Sequence, residues 1–210
     1  MKKYLLIALG VVLIGSWVIA DDAAKTEAPK VAAVVDQPAP NFTLTDVAGK
    51  TVSLSDYKGK FVVLEWVNFD CPFVKKHYGS KNMQTLQATF AKKEVVWLSI
   101  CSSAKGKQGH FEGKDLTERI TKEAHAASSY LIDGDGAVGR MYGAKTTPHM
   151  FVIDPEGTLI YAGAIDDKPS ANPDDIKAAQ NYVQLALDAA MAGKPVATKA
   201  SAPYGCGVKY

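Results

Sequence analysis

Cysteine is scarce in this chain: there are three among 210 residues, Cys71, Cys101 and Cys206. So few exclude a small scaffold stapled by disulfides, which needs several bridges to replace a core. No two stand in Cys-x-x-Cys spacing, so no local disulfide can form, and no metal-ligand cluster is contiguous. An excess of one charge is missing as well. There are 24 Lys and Arg against 22 Asp and Glu, and setting aside Lys2 and Lys3 leaves 22 of each. A nucleic-acid binder would show a concentrated basic face, so that class is excluded. The pI of 8.3 owes part of its height to those two lysines. Beyond Ala20 no segment is apolar enough to span a membrane, and there are no internal repeats.

What is present begins with "MKKYLLIALGVVLIGSWVIA": a basic start, an apolar stretch, and Val18 and Ala20 at the −3 and −1 positions of a cleavage site. That is the pattern of a secretory signal peptide over residues 1–20, with Asp21 and Asp22 opening the mature chain. The alternative is an uncleaved anchor, for which 17 residues from Tyr4 to Ala20 are at the short limit. Either way the domain is expected to be exported, most simply to a periplasm, and free of the membrane once cleaved. About 190 residues remain, enough for one well-filled domain with short tails.

Residues 21–38, rich in Ala, Lys, Asp and Pro, read as a flexible leader. "NFTLTDVAGKTVSLSDYKG" alternates apolar and polar residues about Ala48-Gly49-Lys50, which predicts a hairpin. "KFVVLEWVNF" and "EVVWLSIC" are near-continuous apolar runs and predict strands buried on both faces. Between them, Phe73, Val74, Tyr78, Met83, Leu86 and Phe90 recur near a 3.6 period, predicting a helix over 72–92 with a break at Gly79-Ser80. A helix over 116–127, a strand in "SSYLID", a short helix in "GAVGRMYGA" and a hairpin turned by Pro155-Glu156-Gly157 follow. "PDDIKAAQNYVQLALDAAMAG" predicts one amphipathic helix capped by Asn172 or Asp174 and closed by Gly193. Residues 193–210 read as a loop-like tail. The order implies an α/β sandwich with a mixed sheet.

Cys71 stands where the first buried strand stops and a helix begins, in "EWVNFDCPFVKKHYG". Free N–H groups and a partial positive charge at a helix N-terminus favour thiolate over thiol. They lower a cysteine pKa from about 8.5 by one to several units. Pro72 suits the first helical position, where a missing N–H costs nothing, and Lys75 lies one turn further on. Cys71 is therefore expected to be the most acidic and most accessible thiol. The competing reading is a small buried hydrophobe, which fits Cys101 better. Cys206, in the Gly-rich "YGCG", is a poor core residue and a good mobile thiol; an incidental cysteine in a frayed end is the alternative. The 13 residues from Gly193 to Cys206 reach at most about 45 Å.

This order of elements resembles the thioredoxin fold as elaborated in redoxins. "FTLTDVAGKTVSLSDYKGKFVVLEWV", the helix-opening cysteine and "TTPHMFVIDPEGTLIYAG" match the lead-in, active-site segment and cis-proline loop in turn. With "NFDCPFVKKHY", "GAIDD" and "GCGVKY", the chain most resembles the peroxiredoxin-like group, the alkyl hydroperoxide reductase and thiol-specific antioxidant family, from about Gln37 onward. The resemblance implies a three-layer α/β sandwich with a central mixed sheet and an N-terminal β-hairpin extension. The redoxin domain would span 39–192, with Cys206 in the tail 193–210. It also implies a cis Thr147-Pro148 bond facing Cys71, with Thr147, Pro148 and His149 toward substrate. Two departures stand out: Val74 replaces the second thioredoxin cysteine, and Leu64 and Asn68 occupy the places of the peroxidatic Pro and Thr.

The resulting expectation is an exported thiol oxidoreductase, with Cys71 attacking, Cys206 resolving, and Pro72 and Lys75 favouring the thiolate. Its substrates would be protein or small-molecule thiols and disulfides, with disulfide exchange ahead of peroxide reduction, and it would need no cofactor. With Val74 unable to serve as a partner, oxidation is expected to link Cys71 to Cys206. The competing class is a non-enzymatic redox-responsive or copper-handling module using Cys71, Cys206 and a histidine, since soft thiolates suit Cu(I). "DGDG" at 133–136 hints at calcium, but Ala144 stands where the EF-hand requires Glu. His77 is open to either role, while His110 and His125 read as surface residues.

Overall fold

The computed structural model describes Met1 and residues 33–210; the signal segment and most of the leader lie outside the described residues. Strands β3 (Val62–Trp66) and β4 (Val96–Cys101) are buried along their whole length. Their β-branched and aromatic residues are covered on both faces, as parallel central strands require. They pair parallel, and β5 (Ser129–Ile132) extends the parallel side. On the other side β7 (His149–Ile153) pairs antiparallel with β3, and β8 (Leu159–Gly163) forms the edge. The expected hairpin, β1 (Thr43–Asp46) and β2 (Thr51–Ser53), joins through an antiparallel β1–β5 pair. The result is one mixed sheet in the order β2-β1-β5-β4-β3-β7-β8.

Alternation along β3 sends its side chains into two cores. Val63 joins Met83 and Phe90 of α2 (Asn82–Ala91) and Val183 and Leu187 of α5 (Tyr182–Met191). Leu64 and Trp66 join Phe42 of the lead-in and Val138 and Tyr142 of α4 (Ala137–Tyr142). Each such buried apolar side chain contributes about 1.5–3 kcal/mol over leaving it exposed. Helical elements thus cover both faces of the sheet, the three-layer arrangement expected from the sequence. Glu65 is the exception in β3. It is fully buried and accepts hydrogen bonds from Tyr78 Oη (3.0 Å), Gln87 Nε2 (3.0 Å), Trp97 Nε1 (2.8 Å) and Ser99 Oγ (3.0 Å).

Helix α1 (Pro72–Gly79) stops before α2, as the Gly79-Ser80 break predicts, with Lys81 in a left-handed conformation between them. Other expectations need correction. α3 (Gly113–Lys122) opens and closes earlier than residues 116–127, because Ala124 turns to positive φ and the His125 N–H reaches back to Ile120 O. The last helix is two pieces: a 3-10 segment, Pro173–Ala178, and then α5. Asn172 caps the first and Asn181 the second, through Asp174 N–H and Gln184 N–H respectively. Between them the chain is extended, tied back by Gln180 N–H to Asp167 and Tyr182 N–H to Ile165 O.

The tail has little regular secondary structure, as expected, but it is packed on the fold. Ser201 packs on Gly163, where a Cβ would overlap it, and its hydroxyl accepts from Ala164 N–H at 2.9 Å. Lys199 meets Asp36, whose N–H in turn bonds Leu159 O. The last leader residues therefore pack on the fold as well. Further along, β9 (Cys206–Gly207) pairs antiparallel with β6 (Thr146–Thr147). Tyr210 ends in a slot that exists because Gly136 and Gly139 lack side chains; its hydroxyl donates to Ala144 O at 2.8 Å. Among the described residues no helix is long and apolar enough to cross a membrane.

Candidate functional site

Cys71 is the N-cap of α1, with extended backbone, and Pro72 is the first helical residue. The turn before it is built by Asn68, which is buried. Its side chain accepts Asp70 N–H at 2.9 Å and donates to Gln108 O at 3.2 Å, and its backbone carbonyl accepts Cys71 N–H at 3.0 Å. Gly109 leaves room for it; a Cβ there would overlap the Asn68 amide. Arg119 holds the same turn from α3, donating to Phe69 O at 2.7 Å and pairing with Asp70 at 2.9 Å. Sequence patterning gave no signal for Arg119; it is one of several charges on an exposed-looking helix.

The thiol of Cys71 donates to the carbonyl oxygen of Thr147 at 3.0 Å. The Thr147-Pro148 peptide is cis, and Thr147 is opposite Cys206 across the β6–β9 ladder. Four of the expected site residues, Cys71, Thr147, Pro148 and Cys206, therefore come together, and Pro72 starts the helix beneath them. All three cysteines are free thiols. Cys71 has no exposed surface, which corrects the expectation that it is the most accessible thiol. The tail strand carrying Cys206 lies across it, and Cys206 is the more exposed of the two.

Burial alone would raise the Cys71 thiol. Hydrogen bonding from the Cys206 thiol, the Val74 and Cys206 N–H groups and the Thr147 hydroxyl outweighs it, and the net shift is downward. The Thr147 hydroxyl is buried and otherwise without a hydrogen-bond partner, so a thiolate is the acceptor it lacks. Cys206 moves the opposite way. Burial, then the hydrogen bond and charge of Cys71, push it up to about 11, against a small lowering by Lys209. The two shifts run in opposite directions, so the Cys71 thiol is made easier to deprotonate and the Cys206 thiol harder.

Lys75 is exposed beside Pro72 and Ser80, and the lowering at Cys71 comes instead from the Cys206 thiol and from backbone and hydroxyl donors. His149 is buried, with Nδ1 accepting Lys145 N–H at 3.2 Å and its ring 4.5 Å from that of Phe151. Burial lowers it to about 4, leaving it neutral near pH 7. His125 is not a surface residue: it stacks on Tyr78 and lies 2.9 Å from Ser99 Oγ. His110 is largely covered too, with Nδ1 donating to Ser103 O, 3.1 Å away. Asp133 of "DGDG" receives Val138 N–H, Gly139 N–H and the Ser102 hydroxyl, so its carboxylate caps α4. Among the described residues no three His, Cys, Asp or Glu side chains converge as a metal would require.

With this geometry in view, similarity to known proteins is informative. The AhpC/TSA family model matches residues 35–162. The thiol-disulfide oxidoreductase ResA of Bacillus thuringiensis is 27% identical over 126 residues, covering 60% of this chain and 67% of that protein. The thioredoxin peroxidase of Fasciola hepatica is 30% identical over 145 residues, covering 63% of this chain and 71% of its own. A crystal structure of an uncharacterized conserved protein from Geobacillus kaustophilus superposes with a TM-score of 0.71 at 25% identity, over 84% of this chain and 92% of that one. Thioredoxin domains among the solved structures share the fold. On a thioredoxin-like fold, the chain belongs to the AhpC/TSA family, among thiol-disulfide oxidoreductases and peroxiredoxins.

Proposed function

We propose that this protein is an exported thiol-disulfide oxidoreductase in which Cys71 attacks and Cys206 resolves. The observation that carries the reading is the meeting of both cysteines at one residue, Thr147. Cys71 donates to Thr147 O, and Cys206 pairs with Thr147 in the facing strand. The Cys71 thiolate attacks a substrate disulfide, forming a mixed disulfide and releasing one substrate thiolate. Cys206 then loses its proton and attacks Cys71 Sγ, closing the Cys71–Cys206 disulfide and releasing the second substrate thiolate. One disulfide is reduced and one formed; an external dithiol reverses the change. The charge that raises Cys206 belongs to the Cys71 thiolate, so it vanishes once Cys71 is in a mixed disulfide. Cys206 is thereby easier to deprotonate at the step that needs it.

Leu64 and Asn68, in place of the peroxidatic Pro and Thr, support disulfide exchange over peroxide reduction. Export rests on the pattern of residues 1–20, and partners would be thiols and disulfides of proteins or small molecules. The test compares reduction of a model disulfide and of hydrogen peroxide by the dithiol form, followed by peptide mapping. The reading expects faster disulfide turnover, a Cys71–Cys206 bond in the product, and loss of turnover in Cys71→Ser. A product with all three thiols free, or with Cys101 in the bond, would defeat it.

A further inference from the structure

Two residues before Cys206 the tail carries Tyr204, and the groups that receive it are built into the protein's interior. Lys76, His77 and Asp166 are buried to 2%, 0% and 2% exposure, rare for charged residues unless partnered. The phenol of Tyr204 meets two of them, His77 and Asp166, while Lys76 Nζ donates to Lys168 O at 2.8 Å. Tyr204 Oη donates to Asp166 Oδ1 at 2.5 Å and lies 3.2 Å from His77 Nε2. His77 Nδ1 is 2.9 Å from the Asn82 amide nitrogen, which can only donate. The imidazole proton therefore sits on Nε2 and points at Tyr204. A directed chain results, from Asn82 to His77 to Tyr204 to Asp166, whose Oδ1 also accepts Lys168 N–H at 2.9 Å. Lys76 Nζ stands 5.5 Å from the Tyr204 ring centre and 3.8 Å from Asp166 Oδ2, and Phe73 meets the ring edge-on at 5.8 Å.

Lys76, His77 and Phe73 belong to α1, the helix whose N-cap is Cys71. The peg that holds the tail and the thiol that reacts are therefore fixed to one rigid element. Next along the tail, Gly205 passes so close to Thr147 that a Cβ would overlap its carbonyl oxygen. The register of Cys206 thus depends on where Tyr204 is held.

We infer that Tyr204 is a positioning residue for the resolving step: clamped by Asp166 and His77, it holds Cys206 in register with Thr147, over Cys71. The inference rests on the reading that Cys206 resolves Cys71. It also bears on the first step. Cys71 has no exposed surface under the seated strand, so a substrate disulfide reaches it when the strand lifts, and the resolving attack follows when Tyr204 reseats.

The test is a single-turnover reaction of the full-length reduced protein with a chromogenic aryl disulfide, which releases one coloured thiolate per attack. The first phase reports attack by Cys71 and the second, first-order phase reports resolution by Cys206. Losing a hydrogen bond to a buried carboxylate should slow the second phase of Tyr204→Phe by at least about tenfold, while the first is unchanged or faster. Asp166→Asn, which keeps an acceptor but removes the charge, should fall between. General damage would slow both phases together, and thermal melting identifies any variant that fails to fold. A wild-type second phase in both folded variants overturns the role of Tyr204. A second phase that persists in Cys206→Ser, or is absent from the wild type, overturns the resolving reading and Tyr204's role with it.

Discussion

Thr147 and Cys206 face each other across a two-residue antiparallel ladder, and the carbonyl of Thr147 is the acceptor for the Cys71 thiol, 3.0 Å away. Thr147 thus accepts one thiol and pairs, backbone to backbone, with the residue that carries the other. Because the cysteines lie 135 positions apart, that contact is made by the fold and by nothing local.

The acidity of Cys71 should depend on Cys206. Two of the groups that lower it, the Cys206 thiol and the Cys206 N–H, belong to the tail strand. Removing the thiol in Cys206→Ala should raise the Cys71 pKa. The rate of alkylation against pH would then have its midpoint at higher pH than in the wild type, and its plateau should be no lower. A midpoint unchanged by the substitution would show that the Cys206 thiol does not lower Cys71.

Oxidation should stabilise the fold. Closing a loop of 135 residues restricts the unfolded chain by up to about 5 kcal/mol. The strand is already seated in the dithiol form, so little further ordering opposes that gain. For a domain of this size the melting temperature should rise by roughly 10 °C, and Cys206→Ser should erase the difference between oxidised and reduced samples. Equal melting of both forms of the wild type would mean that the bond is strained or absent.

The sheet and the cysteine's seat were legible in the sequence because local patterns encode them. Apolar runs made β3 and β4, and Pro72 marked the first turn of α1. The tail was not legible. Gly, Ala, Ser and Pro read as flexibility, yet Gly163 and Gly205 are the places where the tail's backbone approach is closest. Its order comes from Tyr204 on Asp166 and Tyr210 in the Gly136–Gly139 slot, contacts between distant positions that no periodicity records. The burial of Lys76 and His77 was not legible either. They look like a polar helix face, but the segment after β8 covers them, with Lys168 O accepting from Lys76 Nζ at 2.8 Å.

Glu65 should make stability fall as pH rises. Burial raises its pKa, against the lowering effect of its hydrogen bonds to Trp97, Tyr78, Ser99 and Gln87. A carboxyl that holds its proton more tightly when folded favours the native state at low pH. That contribution is complete below the unfolded pKa of about 4.3 and is lost as pH climbs to the folded value. Glu65→Gln cannot ionise, so its denaturation midpoint should lack this slope. Its unfolding free energy should lie below that of the wild type by about 1–3 kcal/mol at acid pH, with the gap narrowing upward through the window. Parallel pH profiles for the two proteins would assign the slope to another group.

The burial of Cys71 should be lifted by one methyl group in the tail. Gly205 has φ +139, where side chains are seldom accommodated, and a Cβ there would overlap the Thr147 carbonyl oxygen and crowd the Pro148 nitrogen. The atoms it meets are backbone, Thr147 O and C and Pro148 N, at the entry to the fully buried strand β7, so the tail strand must yield. Gly205→Ala should therefore displace Cys206 from Thr147 while the two cores, to which Gly205 does not contribute, stay packed. Alkylation of Cys71 at neutral pH should become several-fold faster than in the wild type, with a melting temperature lowered only by the lost strand contacts. Ala202→Gly, at an exposed tail position, provides the control for added chain freedom alone. If Gly205→Ala labels Cys71 no faster than the wild type, something other than the seated strand closes the site.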